Sequence, residues 1–187
     1  MSKPLVLTCD IGTQSARALL VDPDGRIVDV VQSKYAEPYF SKEPGWAEQK
    51  PEDWRDAVTA TLQAVVKKAA VPAEAIKGIG LSGQMHGLVM LDEKNEVIRP
   101  SIIWCDQRTA KECEEITEKI GAARLIEITA NPALTGFTAS KILWVRHHEP
   151  ENYRRCRHIL LPKDYIRFCM TGVYATEVSD ASGMQLL

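Results

Sequence analysis

Eight residues near the start of the chain, Asp10-Ile11-Gly12-Thr13-Gln14-Ser15-Ala16-Arg17, bring together an acid, a glycine and two hydroxyl side chains. They follow a short apolar run, Leu5 to Thr8, whose composition predicts a β-strand. A carboxylate emerging from a strand end can hold Mg²⁺, directly or through water. A Gly-Thr-x-Ser turn behind it offers backbone N–H groups and two hydroxyls to phosphate oxygens. This grip differs from the P-loop, whose G-x-x-x-x-G-K-[ST] pattern is absent. The same octet also suits a plain hairpin capped by Asp and Gly.

A second group is Gln84-Met85-His86-Gly87. An amide, a flexible thioether and an imidazole after a strand end can line a small polar pocket, with donors and acceptors for hydroxyls and one apolar wall. A histidine satisfied within the fold is the competing reading of His86. The third group is Trp104-Cys105-Asp106-Gln107-Arg108. On a strand, Asp106 and Arg108 would face the same side and could share a hydroxyl-rich ligand. Asp106 also suits the N-cap of the helix that follows. A literal G-x-G-x-x-G spans Gly78 to Gly83, but its glycines lie within a predicted strand. A dinucleotide fingerprint must instead follow a strand and open a helix, so these glycines read as close backbone packing near a ligand.

Positioning these groups requires strands that end near one another. Ala16 to Val21 predicts a second strand, Asp22-Pro23-Asp24-Gly25 a tight turn, and Ile27 to Val31 a third strand, together a meander. Glu37 to Lys50 reads as an aromatic-rich loop, and Pro51 to Ala70 as an amphipathic helix carrying Trp54, Val58, Leu62 and Val65. Strands are predicted at Ile76 to Leu81, Leu88 to Leu91, Val97 to Ile98, Ile102 to Trp104 and His158 to Leu161. Helices are predicted from Thr109 through Ile120 and on to Ile128, over Thr138 to His148 with Pro150 as a stop, and over Lys163 to Met170. Hairpins first, then helices alternating with strands, imply an α/β fold with a mixed sheet flanked by helices.

Composition narrows the partners. With 23 basic and 25 acidic residues the net charge is −2, which argues against nucleic acid or an anionic membrane surface. No apolar run is long enough to span a bilayer, and no signal-peptide core precedes Asp10, so a cytoplasmic address is expected. Five scattered cysteines without a C-x-x-C pair read as reduced thiols, not as a zinc or disulfide framework.

Taken together, the three groups resemble known proteins. Asp10-x-Gly12-Thr13 is similar to the first phosphate motif of the actin, Hsp70 and sugar-kinase superfamily. Gly83-Gln84-Met85-His86-Gly87, then Arg99-Pro100-x-x-x-Trp104-x-Asp106-x-Arg108, resembles the FGGY carbohydrate kinases, with the Met-His pair pointing to their xylulokinase-like branch. Gly136 to Val145 matches that family's first signature nearly throughout, although His147 departs from the residue type expected there. Leu161-Pro162-Lys163-Asp164-Tyr165 and Ser179-Asp180-Ala181-Ser182-Gly183 match as well.

The resemblance implies an actin-like, ribonuclease H-like N-terminal sugar-binding domain of an ATP- and Mg²⁺-dependent kinase acting on xylulose or a related ketose. Asp10 would place the metal; Gly12, Thr13, Gln14, Ser15 and Arg17 would meet the phosphates. Gln84, Met85 and His86 would contact the sugar, with Trp104, Asp106 and Arg108 nearby. Asp164 and Asp180 are assigned structural places. The chain stops before the segment that carries this family's catalytic base and before its adenosine-binding second domain. It is therefore expected to be inactive alone and to self-associate, as a homo-oligomer, through the surface left bare. Two other readings stay open: a non-kinase ATPase of the superfamily, and a non-catalytic sugar-binding fragment.

Overall fold

The structure, a computed structural model, describes residues 3–35, 37 and 39–186. The meander forms as its sequence requires. Strands β1 (Leu5–Ile11), β2 (Ser15–Val21) and β3 (Ile27–Lys34) pair antiparallel in that order. The β2–β3 turn is built by Asp22, whose Oδ1 accepts from the amides of Asp24 and Arg26 at 3.0 and 2.9 Å, with Gly25 at φ +78°. Within the loop that follows, Glu48–Gln49 forms the two-residue strand β4.

Helix α1 (Pro51–Ala69) begins with Pro51, Glu52 and Asp53 and ends on Lys67 and Lys68, each complementing the helix dipole. Its Trp54, Val58 and Val65 are buried against Ile11, Cys9, Leu7 and Leu5 of β1 and Ala16, Ala18 and Leu20 of β2. Each such large side chain contributes about 1.5–3 kcal/mol of burial. Strand β5 (Ile76–Gly83) then lies parallel to β1, giving the order β3-β2-β1-β5 with β5 at an edge. The face opposite α1 is uncovered: Val6 and Val30 are 45% and 42% exposed.

The rest packs beside this sheet: β6 (Val89–Leu91), β7 (Ser101–Ile102), α2 (Ala110–Ile120), α3 (Ala122–Thr129), α4 (Thr138–His148), α5 (Pro150–Arg155), β8 (His158–Leu160), α6 (Pro162–Thr171) and α7 (Val178–Ala181). Strand β4 pairs with β7, and β6 with β8. Leu88, Met90, Ile102, Trp144 and Val145 form their shared core.

Several expectations need correcting. Val97 makes only an isolated bridge to Leu91, so no strand forms at Val97 to Ile98. Pro150 does stop α4, but it also opens α5, because a proline at the first helical position has no amide to lose. Beyond Ile102 the chain turns, so Trp104 to Arg108 is not a strand and the period-2 argument for Asp106 and Arg108 fails. Nor does Asp106 cap α2: its Oδ1 accepts from the Arg108 amide at 2.9 Å, and the N-cap residue of α2 is Thr109. Of the glycines in β5 only Gly83 is needed for close approach, since a Cβ there would lie 2.9 Å from the Ile11 carbonyl oxygen. A Cβ on Gly78 would meet nothing within 4 Å.

Candidate functional site

Parallel pairing of β1 with β5 sets Asp10 beside Ser82 and Ile11 beside Gly83, so the first two sequence groups leave the sheet at neighbouring strand ends. Past Asp10, the Gly12 amide donates to the Ser15 carbonyl at 3.0 Å, closing a tight turn with Thr13 and Gln14 at its tip. The amides of Thr13 and Gln14 donate to no acceptor among the described residues, which leaves two N–H groups free beside an exposed carboxylate. Tyr35 braces the turn, its hydroxyl donating to Gly12 O at 3.1 Å and its amide to Gln14 O at 3.2 Å. The Ser15 hydroxyl accepts from Gln32 at 2.8 Å, and Arg17 donates to the same Gln32 at 3.3 Å.

The Gln84 amide donates to Ile11 O at 2.7 Å, and the two groups are then tied by a residue the sequence reading passed over, Gln49. Gln49 Nε2 donates to Thr13 O at 2.7 Å, while its Oε1 accepts from Gln84 Nε2 at 2.8 Å and from Trp54 Nε1 at 3.1 Å. Gln84 is thus buried behind the turn. Trp104 joins the third group to the first, with Nε1 donating to the Thr13 hydroxyl at 2.9 Å.

Met85 and His86 lie on the other side, in a cavity of ≈ 350 Å³ shared with Ser82, Lys163, Asp180 and Glu177. Met85 is 40% exposed there. His86 sits edge-on to Phe137 at 4.8 Å between ring centroids, and Asp180 Oδ1 lies 3.6 Å from its Nδ1. Burial holds its imidazole below the ordinary histidine range, against an upward pull from Asp180 and with a further downward push from Lys141. Lys163 Nζ is 3.2 Å from each of Asp164, Glu177 and Asp180. Burial works against its charge, but Asp164, Asp180 and Glu177 together outweigh it, so its pKa lies above the usual lysine value. Asp180, assigned a structural place from sequence, therefore faces the cavity.

Asp106 and Arg108 are elsewhere. Arg108 forms a fork with Asp106, at 2.7 Å through Nη2 and 3.0 Å through Nε to Oδ2, and reaches Glu48 at 2.8 Å. Asp106 Oδ2 also accepts from the Ala47 amide at 2.6 Å, and the guanidinium lies 3.7 Å from the centroid of Trp46. Neither side chain lines the cavity.

Comparison with known proteins gives this arrangement its context. Residues 5–187 match the model of the N-terminal domain of the FGGY family of carbohydrate kinases. The chain belongs to this family. Against the xylulose kinase of Bacillus subtilis (strain 168), this FGGY domain is 44% identical over 182 residues, covering 97% of this chain and 36% of that protein. A "xyloylose kinase" from Brucella ovis superposes with a TM-score of 0.89 at 38% identity, covering 98% of this chain and 38% of the other. A gluconate kinase from Lactobacillus acidophilus superposes with a TM-score of 0.88 at 26% identity, over 100% and 37% of the two chains. The FGGY domain described here thus spans little more than a third of the length of these relatives, and its mixed sheet flanked by helices is the actin-like, ribonuclease H-like fold. Among the described residues no helix is long and apolar enough to cross a membrane.

One buried cation of the FGGY domain has a consequence for pH. Lys141 of α4 has no solvent exposure, and burial pushes its amine down from 10.5 to about 7. Below pH 7 both folded and unfolded chains carry the proton, and the buried charge lowers stability. Between about 7 and 10.5 only the unfolded chain still holds it, so stability should rise with pH across that window. Relative to Lys141→Met, the wild type should gain up to about 1.4 kcal/mol per pH unit there. Urea unfolding of both proteins at several pH values checks this, and a constant difference would contradict it.

Proposed function

We propose that this domain is the sugar-binding part of an ATP-dependent carbohydrate kinase that moves the γ-phosphoryl group of ATP to a hydroxyl of a ketopentose, D-xylulose first among the candidates. The observation that carries this reading is the adjacency of the Gly12–Ser15 turn and the Met85–His86 cavity at neighbouring strand ends, with Asp10 in register with Ser82. Phosphoryl transfer asks for positioning and charge neutralisation more than for covalent chemistry. Free amides at Thr13 and Gln14 suit phosphate oxygens, with Gly12 and Ser15 shaping the turn and Arg17 adding positive charge beside it. A lone exposed carboxylate next to them suits Mg²⁺, which is commonly held by one or two carboxylates together with nucleotide phosphates. Asp10 would hold that ion, which supplies charge neutralisation when bound.

On the sugar side, Met85 offers an apolar wall and His86 a hydrogen-bonding ring. Gln84 and Trp104 act one step back, by holding the turn through Gln49 and Thr13. Asp106 and Arg108 brace the loop behind the site instead of touching the sugar. The xylulose kinase relatives favour a ketopentose, and the gluconate kinase keeps a related sugar acid as the second reading. A cytoplasmic setting fits a sugar kinase using ATP. The uncovered sheet face at Val6 and Val30 offers a surface for the expected self-association.

Calorimetric titration with D-xylulose, gluconate and a hexose, with and without Mg-ATP, tests the reading. A ketopentose should bind, and His86→Ala should weaken it by roughly 1–3 kcal/mol, the cost of an unpaired buried group, without lowering the thermal midpoint. Binding of Mg-ATP with no response to any sugar would favour a non-kinase ATPase. A midpoint that collapses while sugar affinity holds would make His86 structural.

A further inference from the structure

His86 has φ +60°, a left-handed conformation that a residue with a Cβ seldom adopts unless its surroundings impose it. Its carbonyl oxygen takes two donors from the start of α4: Lys141 Nζ at 2.8 Å and Thr138 Oγ1 at 3.2 Å. The same Nζ reaches Gly136 O at 2.7 Å. No carboxylate lies within 4 Å of this amine among the described residues; its partners are two peptide carbonyls, in a place with no solvent exposure. A buried amine held by two peptide carbonyls is a costly way to anchor a helix, since an apolar side chain of like volume would fill the space without stripping water from a polar group. What the amine does provide is a directed hold on the His86 carbonyl, shared with the Gly136 carbonyl. The ring beyond that peptide has little room of its own. A Cβ at Gly183 would fall 1.9 Å from its Cε1, so the ring lies flush against that glycine, with Phe137 on another side.

We propose that Lys141, helped by Thr138, is a positioning residue for sugar binding: it fixes the left-handed His86 peptide and thereby the direction of the imidazole in the cavity. The proposal rests on the sugar reading above for its purpose, but the clamp itself is a separate structural statement.

The test uses the whole chain as wild type, Lys141→Met, Thr138→Val, His86→Ala and the Lys141→Met/His86→Ala pair. Two quantities are read: the dissociation constant for D-xylulose, and the NMR resonance of the His86 Cε1 proton in the absence of sugar. Lys141→Met should weaken sugar binding about tenfold or more, and Thr138→Val by a smaller factor. In the double variant the two losses should not multiply, because Lys141 acts through His86. The His86 resonance should move in both single variants at α4. Losses that multiply in full, or an unmoved resonance in a folded variant, would overturn the clamp. If Lys141→Met fails to fold, Thr138→Val, which removes one hydroxyl, decides alone by the same two quantities. If the wild type binds no sugar, the sugar reading falls, and the resonance still decides the clamp.

Discussion

Replacing Arg108 with alanine is expected to cost about 3–5 kcal/mol of folding stability, the range for removing one partner from a buried ion pair. Arg108 and Glu48 are each 1% exposed at the side chain and Asp106 not at all, so Asp106 would be left buried without its paired cation. Glu48 would retain Arg99 at 2.5 Å, whereas Asp106 would keep only the Ala47 and Arg108 amides. The guanidinium carbon also lies 3.7 and 4.8 Å from the ring centroids of Trp46 and Trp144, and those cation–π contacts would go with it. Arg108→Lys should recover only part of the loss, since an ammonium cannot reproduce the fork or both aromatic contacts. Urea denaturation provides the number. A loss under about 1 kcal/mol would mean that water reaches the network, as it does for surface pairs.

The 187 residues by themselves should transfer phosphate to D-xylulose far more slowly than a whole sugar kinase, by more than the roughly 10²- to 10⁴-fold that a positioned general base contributes. Asp180 is the carboxylate in the cavity nearest His86, and it is already engaged: Lys163 stands 3.2 Å from its Oδ2, and its Oδ1 accepts from the His86 amide at 3.4 Å. Both of its oxygens thus already face a donor of this chain. Asp10 is taken up by the proposed metal role. The chain corresponds to 36% of the Bacillus subtilis xylulose kinase, so much of a cleft of that size would have to come from elsewhere. Without it, water enters where charge must be neutralised. Following ADP release with D-xylulose, ATP and Mg²⁺ gives the answer. Turnover like that of a complete sugar kinase would place the base within these residues, and Asp180 and then Asp106 would be the first to mutate.

The sequence by itself determined the meander, the long helix and the identity of the residues at the two strand ends. Those features are local: alternation in β1, an Asp-Pro-Asp-Gly turn, a proline and two acids opening α1, each legible within a few residues. The motifs carried the family as well, and Gly83 among them answers a backbone demand that no residue with a Cβ meets without a shift. Tertiary structure alone decided which polar residues face the cavity. Asp106 and Arg108 looked like ligands by spacing, yet the chain turns after Ile102 and their charges are spent on each other and on Glu48, sixty residues away in sequence for Arg108. Asp180 looked structural and Lys163 was given no role, yet α6 and the segment after it bring them to His86 across 94 and 77 positions of chain. Gln49 carries no local pattern that marks a site, and the signature stretch around Lys141 does not say what its amine touches. Their roles depend on carbonyls and amides delivered by distant segments, and a hydrogen bond across such a span exists only once packing has set both ends within about 3 Å.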